Sequence, residues 1–512
     1  MMLVMVAVPA LSGADELTAG QARGQRIYED GTSASGAEIT AVLGNGQTEI
    51  SAALLPCVNC HGEDGRGREE GGRTAADITW HVLTKPYLLD SVGGRSRPPY
   101  EREAHLVRAI TMGLDAGGNR LDNIMPRFRM SRADMQDLIA YLKLVGSQDQ
   151  PGVTPDEIRI GVVLPPVHGF GSLGAAMQEL LQRSFAAINQ TGGLYGRRLR
   201  LLSLTLPDAP EATSAVLSAF LDKEAPFALV ATFMAWREDA VAQVLRDEGV
   251  PSCGALTLQL PDDASSGGPL FYLMPDLLAE GRALAVFWAE NSSGSGTSAA
   301  VLHGDGQLWR AAAEAVSQEL VKHGVDRVRL VPLASDTDFN VLGRELALDK
   351  DDALFLLVPG QAGRRVLAAL SAATATPSVL SPGFLAESIF VGPPLRRGGK
   401  IYLSWPILLS DQNRDALADL RRLAPQNNVH SRQLVHVAAA AAVLVEGLRR
   451  AGRNLSRRRL IASLEGLYDF PTGLMRPVSF GANRRLGSAG AHVVSVDTET
   501  GATLSEHWVE LD

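Results

Sequence analysis

Residues Pro56 to Gly67 read P-C-V-N-C-H-G-E-D-G-R-G, which sets two thiols three positions apart and an imidazole directly after the second. Three chemistries use such a C-x-x-C string: a redox dithiol, half of a zinc site, or covalent capture of a porphyrin. A zinc site would want two further ligands at suitable spacing, yet the chain has 3 cysteines in all and the third, Cys253, is almost two hundred residues away. A redox dithiol would want a strand–helix setting, and this string sits among glycines. The histidine decides between them, since C-x-x-C-H is the attachment signal of a c-type haem. In that chemistry the Cys57 and Cys60 thiols add to the two vinyl groups as thioethers, and His61 is placed under the iron as its proximal ligand.

A low-spin haem iron needs a second axial ligand, and a methionine sulfur opposite histidine raises the reduction potential. Met125, in N-I-M-P-R-F, is the candidate: Pro126 holds the backbone extended, which can present the sulfur to an open haem face. Met130 is the reserve ligand. Met112 and Met135 fall within helical patterns and read as core packing. His81 and His105 could ligate iron in principle, but a lone histidine is usually an ordinary surface or core residue.

These groups must be carried by folded domains. A chain of 512 residues is too long for one ordinary core, because domains usually run to about 100–200 residues. Hydrophobic residues at 46% and charged residues at 21% match globular composition. The formal charge of −9 and a pI near 5.7 offer no basic field for nucleic acid or anionic lipid. Arg457, Arg458 and Arg459 read as a solvated helix face. Residues 147–156, S-Q-D-Q-P-G-V-T-P-D, are a linker-like stretch and mark a domain boundary. Before it, Met135, Leu138, Ile139, Leu142 and Val145 recur at helical spacing over Ser131 to Val145.

Beyond the boundary, short apolar strands alternate with amphipathic helices. Strands are expected at Ile158 to Pro165, Leu199 to Leu204, Phe227 to Ala231, Ala299 to His303, Val328 to Leu333, Ala353 to Val358 and Lys400 to Ser404. A helix through Met177, Leu180, Leu181, Ser184, Phe185 and Ile188 should end at Asn189 to Gly193. Such alternation predicts parallel sheets covered by helices, with ligands at the carboxyl ends of the strands. The run Leu434 to Leu448 is nearly all apolar but holds His436 and Glu446, so it reads as a buried core helix and not a membrane span. Asn291 to Thr297 reads as a surface loop, and there is no internal repeat. Residues 1–14, M-M-L-V-M-V-A-V-P-A-L-S-G-A, look like the core and cleavage region of a secretory signal peptide, although no basic residue precedes them. A buried terminal helix is the alternative.

The strings C-V-N-C-H-G-x-D-G-x-G, I-M-P-R-F and D-L-I-A-Y-L resemble the class I cytochrome c family from about Gly20 to Gly146. The resemblance implies a small all-α domain around one covalent haem c. After the boundary, A-A-I-N-Q-T-G-G-L-Y-G-R-R-L-R-L, V-P-S-C-G-A, F-Y-L-M-P-D and V-L-H-G-D resemble the leucine-type periplasmic solute-binding family, which implies a type I fold of two α/β lobes closing on a small molecule. The expected organisation is a signal-like segment over 1–19, a cytochrome c domain over 20–147, a linker over 148–156 and the solute-binding domain over 157–512.

By position in that fold, Phe170, Thr232, Phe233, Thr257, Tyr272 and Trp309 are the candidate ligand contacts. The chain departs from amino-acid binders at A-T-F-M-A-W (Ala231 to Trp236) and at Leu308 and Trp309, which points to a bulkier, more apolar or aromatic ligand. Cys253 reads as a buried, inert thiol. Proteins of this composite type resemble the binding components associated with quinoprotein (PQQ-dependent) alcohol oxidation, so the first function expected is periplasmic single-electron transfer with a quinoprotein dehydrogenase as redox partner. The second is delivery of ligand to an ABC permease or receptor, with the haem as sensor or structural element. An enzyme is disfavoured: no nucleophile with an adjacent base, second metal cluster or phosphate loop is legible.

Overall fold

The structure is a computed structural model, and it describes residues 17–44, 48–62, 64–67, 69–70, 73–86, 97–146, 150–261, 267–292, 298–334, 336–346, 353–371, 377–383, 385, 400–424, 431–453, 455–496 and 503–511. The signal-like run, residues 147–149 of the linker and residues 293–297 of the expected surface loop lie outside these. The chain divides into two compact units, one ending at Asp149 and the other beginning at Gln150.

The first unit is built on two crossing helices, Ala19–Asp30 and Arg132–Leu142. Ser131 caps the second by accepting from the Asp134 amide, so the helix starts one residue later than the apolar pattern alone suggests. Met135, Leu138, Ile139 and Leu142 are buried as their spacing predicts. The crossing is close because residue 24 is glycine: a Cβ there would stand 2.0 Å from the Asp137 carbonyl oxygen and 2.8 Å from Tyr141 Cβ. Tyr28 and Tyr141 stack at 5.5 Å beside this point. To the helices the structure adds a small antiparallel sheet of Thr48–Ser51, Thr40–Leu43 and Arg127–Arg129, in that order. Met112 is corrected: it is 64% exposed at the end of helix Glu103–Met112 and packs no core, whereas Met135 does.

The second unit holds two sheets. The first runs Leu270–Phe271, Ser252–Cys253, Ala228–Val230, Glu157–Leu164, Arg198–Thr205, all parallel. Helix Val167–Gln190 covers it with Met177, Leu180, Leu181 and Phe185, and Asn189 ends that helix by exchanging two hydrogen bonds with the Leu199 backbone. The apolar helix Ser431–Ala451 packs into the same core. No helix among the described residues is long and apolar enough to cross a membrane.

The second sheet runs Arg327–Pro332, Ser298–His303, Ala353–Leu357, Ser378–Pro382, Ile401–Trp405, Gly490–Val496, Thr503–Glu510; its first five strands are parallel, Gly490–Val496 pairs antiparallel to them, and Thr503–Glu510 pairs antiparallel to Gly490–Val496. Along Ala353–Leu357 alternate residues enter different cores: Ala353, Phe355 and Leu357 face one layer of helices, Leu354 and Leu356 the other. Such a strand is apolar without a break, as a strand covered on both faces must be. The chain crosses from first lobe to second near Asp276, returns after Trp405 and crosses again near Ser488.

Arg457 is also corrected. It is half-buried and donates to the carbonyls of Pro226, Phe227 and Glu248, so it fastens a helix end to the first sheet and does not lie on a solvated face.

Candidate functional site

In the first unit, Cys57 and Cys60 share one turn of the short helix Cys57–His61, so both thiols and the imidazole leave a single turn of backbone. The helix is held from behind by the Tyr28 hydroxyl, which donates to the Gly62 carbonyl. His61 is buried, and its Nδ1 lies 2.9 Å from the Ala76 carbonyl. That bond fixes the ring and its tautomer, with Nδ1 carrying the proton and Nε2 left as the basic nitrogen. Burial lowers the His61 pKa, against the pull of the Ala76 bond and the Asp77 charge. Burial also pushes the Cys57 thiol up to about 12. Two cysteines one turn apart and a buried neutral imidazole with Nε2 uncommitted are the donor set a c-type haem requires, so the residues present fit the group.

Met125 is half-buried in the turn before strand Arg127–Arg129, and the Arg127 guanidinium donates to its carbonyl. Met130 instead packs against the apolar core of the unit, while Met125 is not part of that packing. His105 stacks edge-on against Tyr100 at 6.4 Å. The side chain of His81 lies outside the described residues.

In the second unit the loops after the first-lobe strands converge on a pocket of about 190 Å³ lined by Pro166, His168, Phe170, Asp208, Phe233 and Trp236, with Pro210, Ala235 and Arg237 completing its wall. Phe170 and Phe233 are therefore brought together, with ring centroids 5.9 Å apart, and Trp236 joins them at 5.4 and 6.4 Å. The other four expected contacts are placed elsewhere. Thr232 is fully buried with its hydroxyl 2.7 Å from that of Ser252, so it knits neighbouring strands and shows no surface to a ligand. Thr257 spends its hydroxyl on the Gln259 carbonyl at 2.6 Å. Tyr272 is 2% exposed, its backbone amide donating to Arg485 at the crossing. Trp309 packs over Gly304 into the second-lobe core, and Leu308 touches the cores of both lobes. Cys253 is buried beside the Ala440 carbonyl, and burial raises its pKa.

The first unit matches the family described as cytochrome c over residues 45–145, and residues 157–502 match the family described as periplasmic binding protein. The chain belongs to the periplasmic binding protein family. It carries an amino-terminal cytochrome c domain, which implies haem c binding, ahead of a type I two-lobed α/β fold. Among solved structures, a fatty acid ABC transporter substrate-binding protein from Thermomonospora curvata is similar at 16% identity and a TM-score of 0.55, over 71% of this chain and 94% of that one. A branched-chain amino acid transporter substrate-binding protein from Streptococcus pneumoniae, solved with isoleucine, is similar at 16% identity and 0.54, over 70% of this chain and 100% of that one. A putative branched-chain amino acid ABC transporter protein from Rhodospirillum rubrum gives 18% and 0.54, over 68% and 99%. Likeness at this level of identity shows the fold. Curated proteins give no match.

Sequence reasoning missed His168, Asp208 and Trp236 in the binding-protein pocket. The signal for Trp236 is present in A-T-F-M-A-W, where the chain departs from amino-acid binders. His168 and Asp208 lie on different strand-end loops, and only the parallel order of their strands brings them within 3.7 Å. A buried group at the second lobe is likewise not legible in the sequence. Glu280, in the first turn of helix Leu277–Asn291, accepts from the Gly383 amide at 3.3 Å and the Ser404 hydroxyl at 3.2 Å, both at carboxyl ends of strands. Burial pushes its carboxyl up to about 8. Next to it, the Arg432 guanidinium lies over the Trp405 ring at 3.3 Å.

Proposed function

We propose that this chain is an exported single-electron carrier joined to a small-molecule-binding module. The haem would be held by thioethers from Cys57 and Cys60, and His61 Nε2 and the Met125 sulfur would bind its iron. The observation that carries the reading is the Nδ1 bond of buried His61 to Ala76, since it turns the opposite nitrogen into a positioned donor. When bound, the haem supplies a reversible one-electron centre. The protein's own part is to orient the imidazole through Ala76 and to hold the Cys57–His61 turn through Tyr28.

A quinoprotein alcohol dehydrogenase is proposed as the electron donor, and a solute linked to that oxidation as the ligand. Mixing the purified chain with such a dehydrogenase and its alcohol should reduce the haem, seen as sharpened alpha-band absorption. Material without c-type haem absorption, or haem that the loaded dehydrogenase leaves oxidised, overturns this reading. A second reading is delivery of a solute to an ABC permease, which the near-complete coverage of transporter substrate-binding proteins favours. Ligand-stimulated ATP hydrolysis by a reconstituted permease, unaffected by haem oxidation state, would select it.

A further inference from the structure

The three rings at the first-lobe strand ends are held in place by backbone that a chain does not adopt cheaply. Ala231 has φ +49° and Trp236 φ +65°, and Phe170 directly follows Gly169 at φ +81°. A non-glycine residue in this region costs about 1–2 kcal/mol, and such residues collect at ligand sites. The loop is fastened nonetheless: Phe233 N–H donates to Val163 at 2.9 Å, Met234 N–H to Leu256 at 2.8 Å and Arg237 N–H to Met234 at 2.8 Å. The outcome is that Trp236 stands 50% exposed with its indole tilted 39° from Phe170 and 46° from Phe233. Val167, on the same rim, is 69% exposed. A tilted wedge of three rings with one open face is apolar surface kept in water, the condition under which an apolar partner gains most from binding.

The guanidinium of this wall is already engaged. Arg237 donates to the Thr213 hydroxyl at 2.8 Å and the Asp208 carbonyl at 3.2 Å, which leaves its charge poorly placed for a ligand carboxylate. What faces the mouth is His168, 3.7 Å from Asp208 and almost fully exposed, a pair suited to one hydroxyl. In size, a dry cavity of about 150 Å³ takes a benzene ring, and this pocket is about 190 Å³.

We infer that the first-lobe half of the cleft takes a hydroxyl-bearing aromatic ring, stacked on Trp236 and Phe170 with its polar edge toward His168 and Asp208, and not a zwitterionic amino acid. The inference rests on the reading of the second unit as a small-molecule-binding module, and adds the class of molecule.

The test is isothermal titration of the full haem-loaded chain with 4-methylphenol, isoleucine and hexadecanoate, backed by a thermal-shift screen of mixed solutes. Binding of 4-methylphenol is expected, weakened at least ten-fold in Trp236→Ala and in Phe170→Ala and far less in Trp236→Phe. Unchanged circular dichroism and haem absorption will show that the variants fold. Binding of isoleucine or hexadecanoate in place of 4-methylphenol overturns the aromatic class and leaves the module reading standing, as does a screen in which only non-aromatic solutes bind. Binding of 4-methylphenol indifferent to both alanine variants overturns the location. A screen in which no solute binds overturns both the inference and the module reading.

Discussion

Replacing Glu280 by Gln is expected to make the protein more stable above neutral pH and to leave it unchanged in acid. The carboxyl is 6% exposed and meets two neutral donors, the Gly383 amide and the Ser404 hydroxyl. Burial raises it to about 8 from 4.5; the two hydrogen bonds and Arg432 resist the rise, and the charge of Asp276 adds to it. The folded state therefore holds a proton that the unfolded chain has already released over that interval. Stability must fall as pH rises from about 4.5 to about 8, and the whole penalty is present above the upper value. At about 1.4 kcal/mol per pH unit, the penalty is roughly 3–5 kcal/mol. Glutamine keeps an acceptor for both donors and carries no charge, so it removes the penalty and retains the bonds. Urea denaturation followed by tryptophan fluorescence, repeated between pH 4.5 and 9, should show the two proteins converging at the acid end and the variant ahead at the alkaline end. Parallel curves across the range would refute the argument, because they would mean that Glu280 ionises in the fold as it does in the unfolded chain.

His436 gives the opposite slope. Burial lowers it to about 4 from 6.5 despite its bond to the Gly254 carbonyl, so its contribution is complete above about 6.5 and is lost as pH falls toward 4. The loss is roughly 3 kcal/mol, and His436→Gln should flatten that acid limb in the same denaturation series. Gly24→Ala places a methyl group 2.0 Å from a backbone oxygen, so the two crossing helices must part; a loss of about 1–3 kcal/mol, read as an earlier melting transition of the haem absorption, is expected. Met125→Ala should remove the near-infrared sulfur-to-iron band and lower the reduction potential, whereas Met130→Ala should keep both and lose only stability, since Met130 packs the core. Loss of the band in the second variant alone would reverse the assignment.

Much of the fold was legible because it rests on local pattern. The helical spacing through Met135, Leu138, Ile139 and Leu142 and the apolar runs at Glu157–Leu164 and Ala353–Leu357 record which faces are covered, whatever covers them. Ser378–Pro382 was missed because S-V-L-S-P carries two hydroxyls and a proline, and its place in the sheet comes from the parallel neighbours on either side. The antiparallel pair Gly490–Val496 and Thr503–Glu510 was missed because neither strand alternates: six of the seven residues of the first are buried, and Ser505, Glu506 and His507 make the second polar at its start.

The sites divide in the same way. The proposed haem donors Cys57, Cys60 and His61 are legible in sequence, since thioether attachment and iron ligation, as proposed, would occupy one turn of chain and need no distant residue to define them. The wall of the first-lobe pocket was not. Thr232 and Tyr272 hold the right positions in the order of the strands, yet sheet packing buries both, and Trp236 reaches the pocket because a left-handed backbone turns it there. Sequence therefore determined the groups whose chemistry depends on contiguous residues. The tertiary structure decided which side chains line the first-lobe pocket and which titratable groups lose their water, because burial and facing arise from segments far apart in the chain, as Glu280 with Ser404 and His436 with Gly254 show.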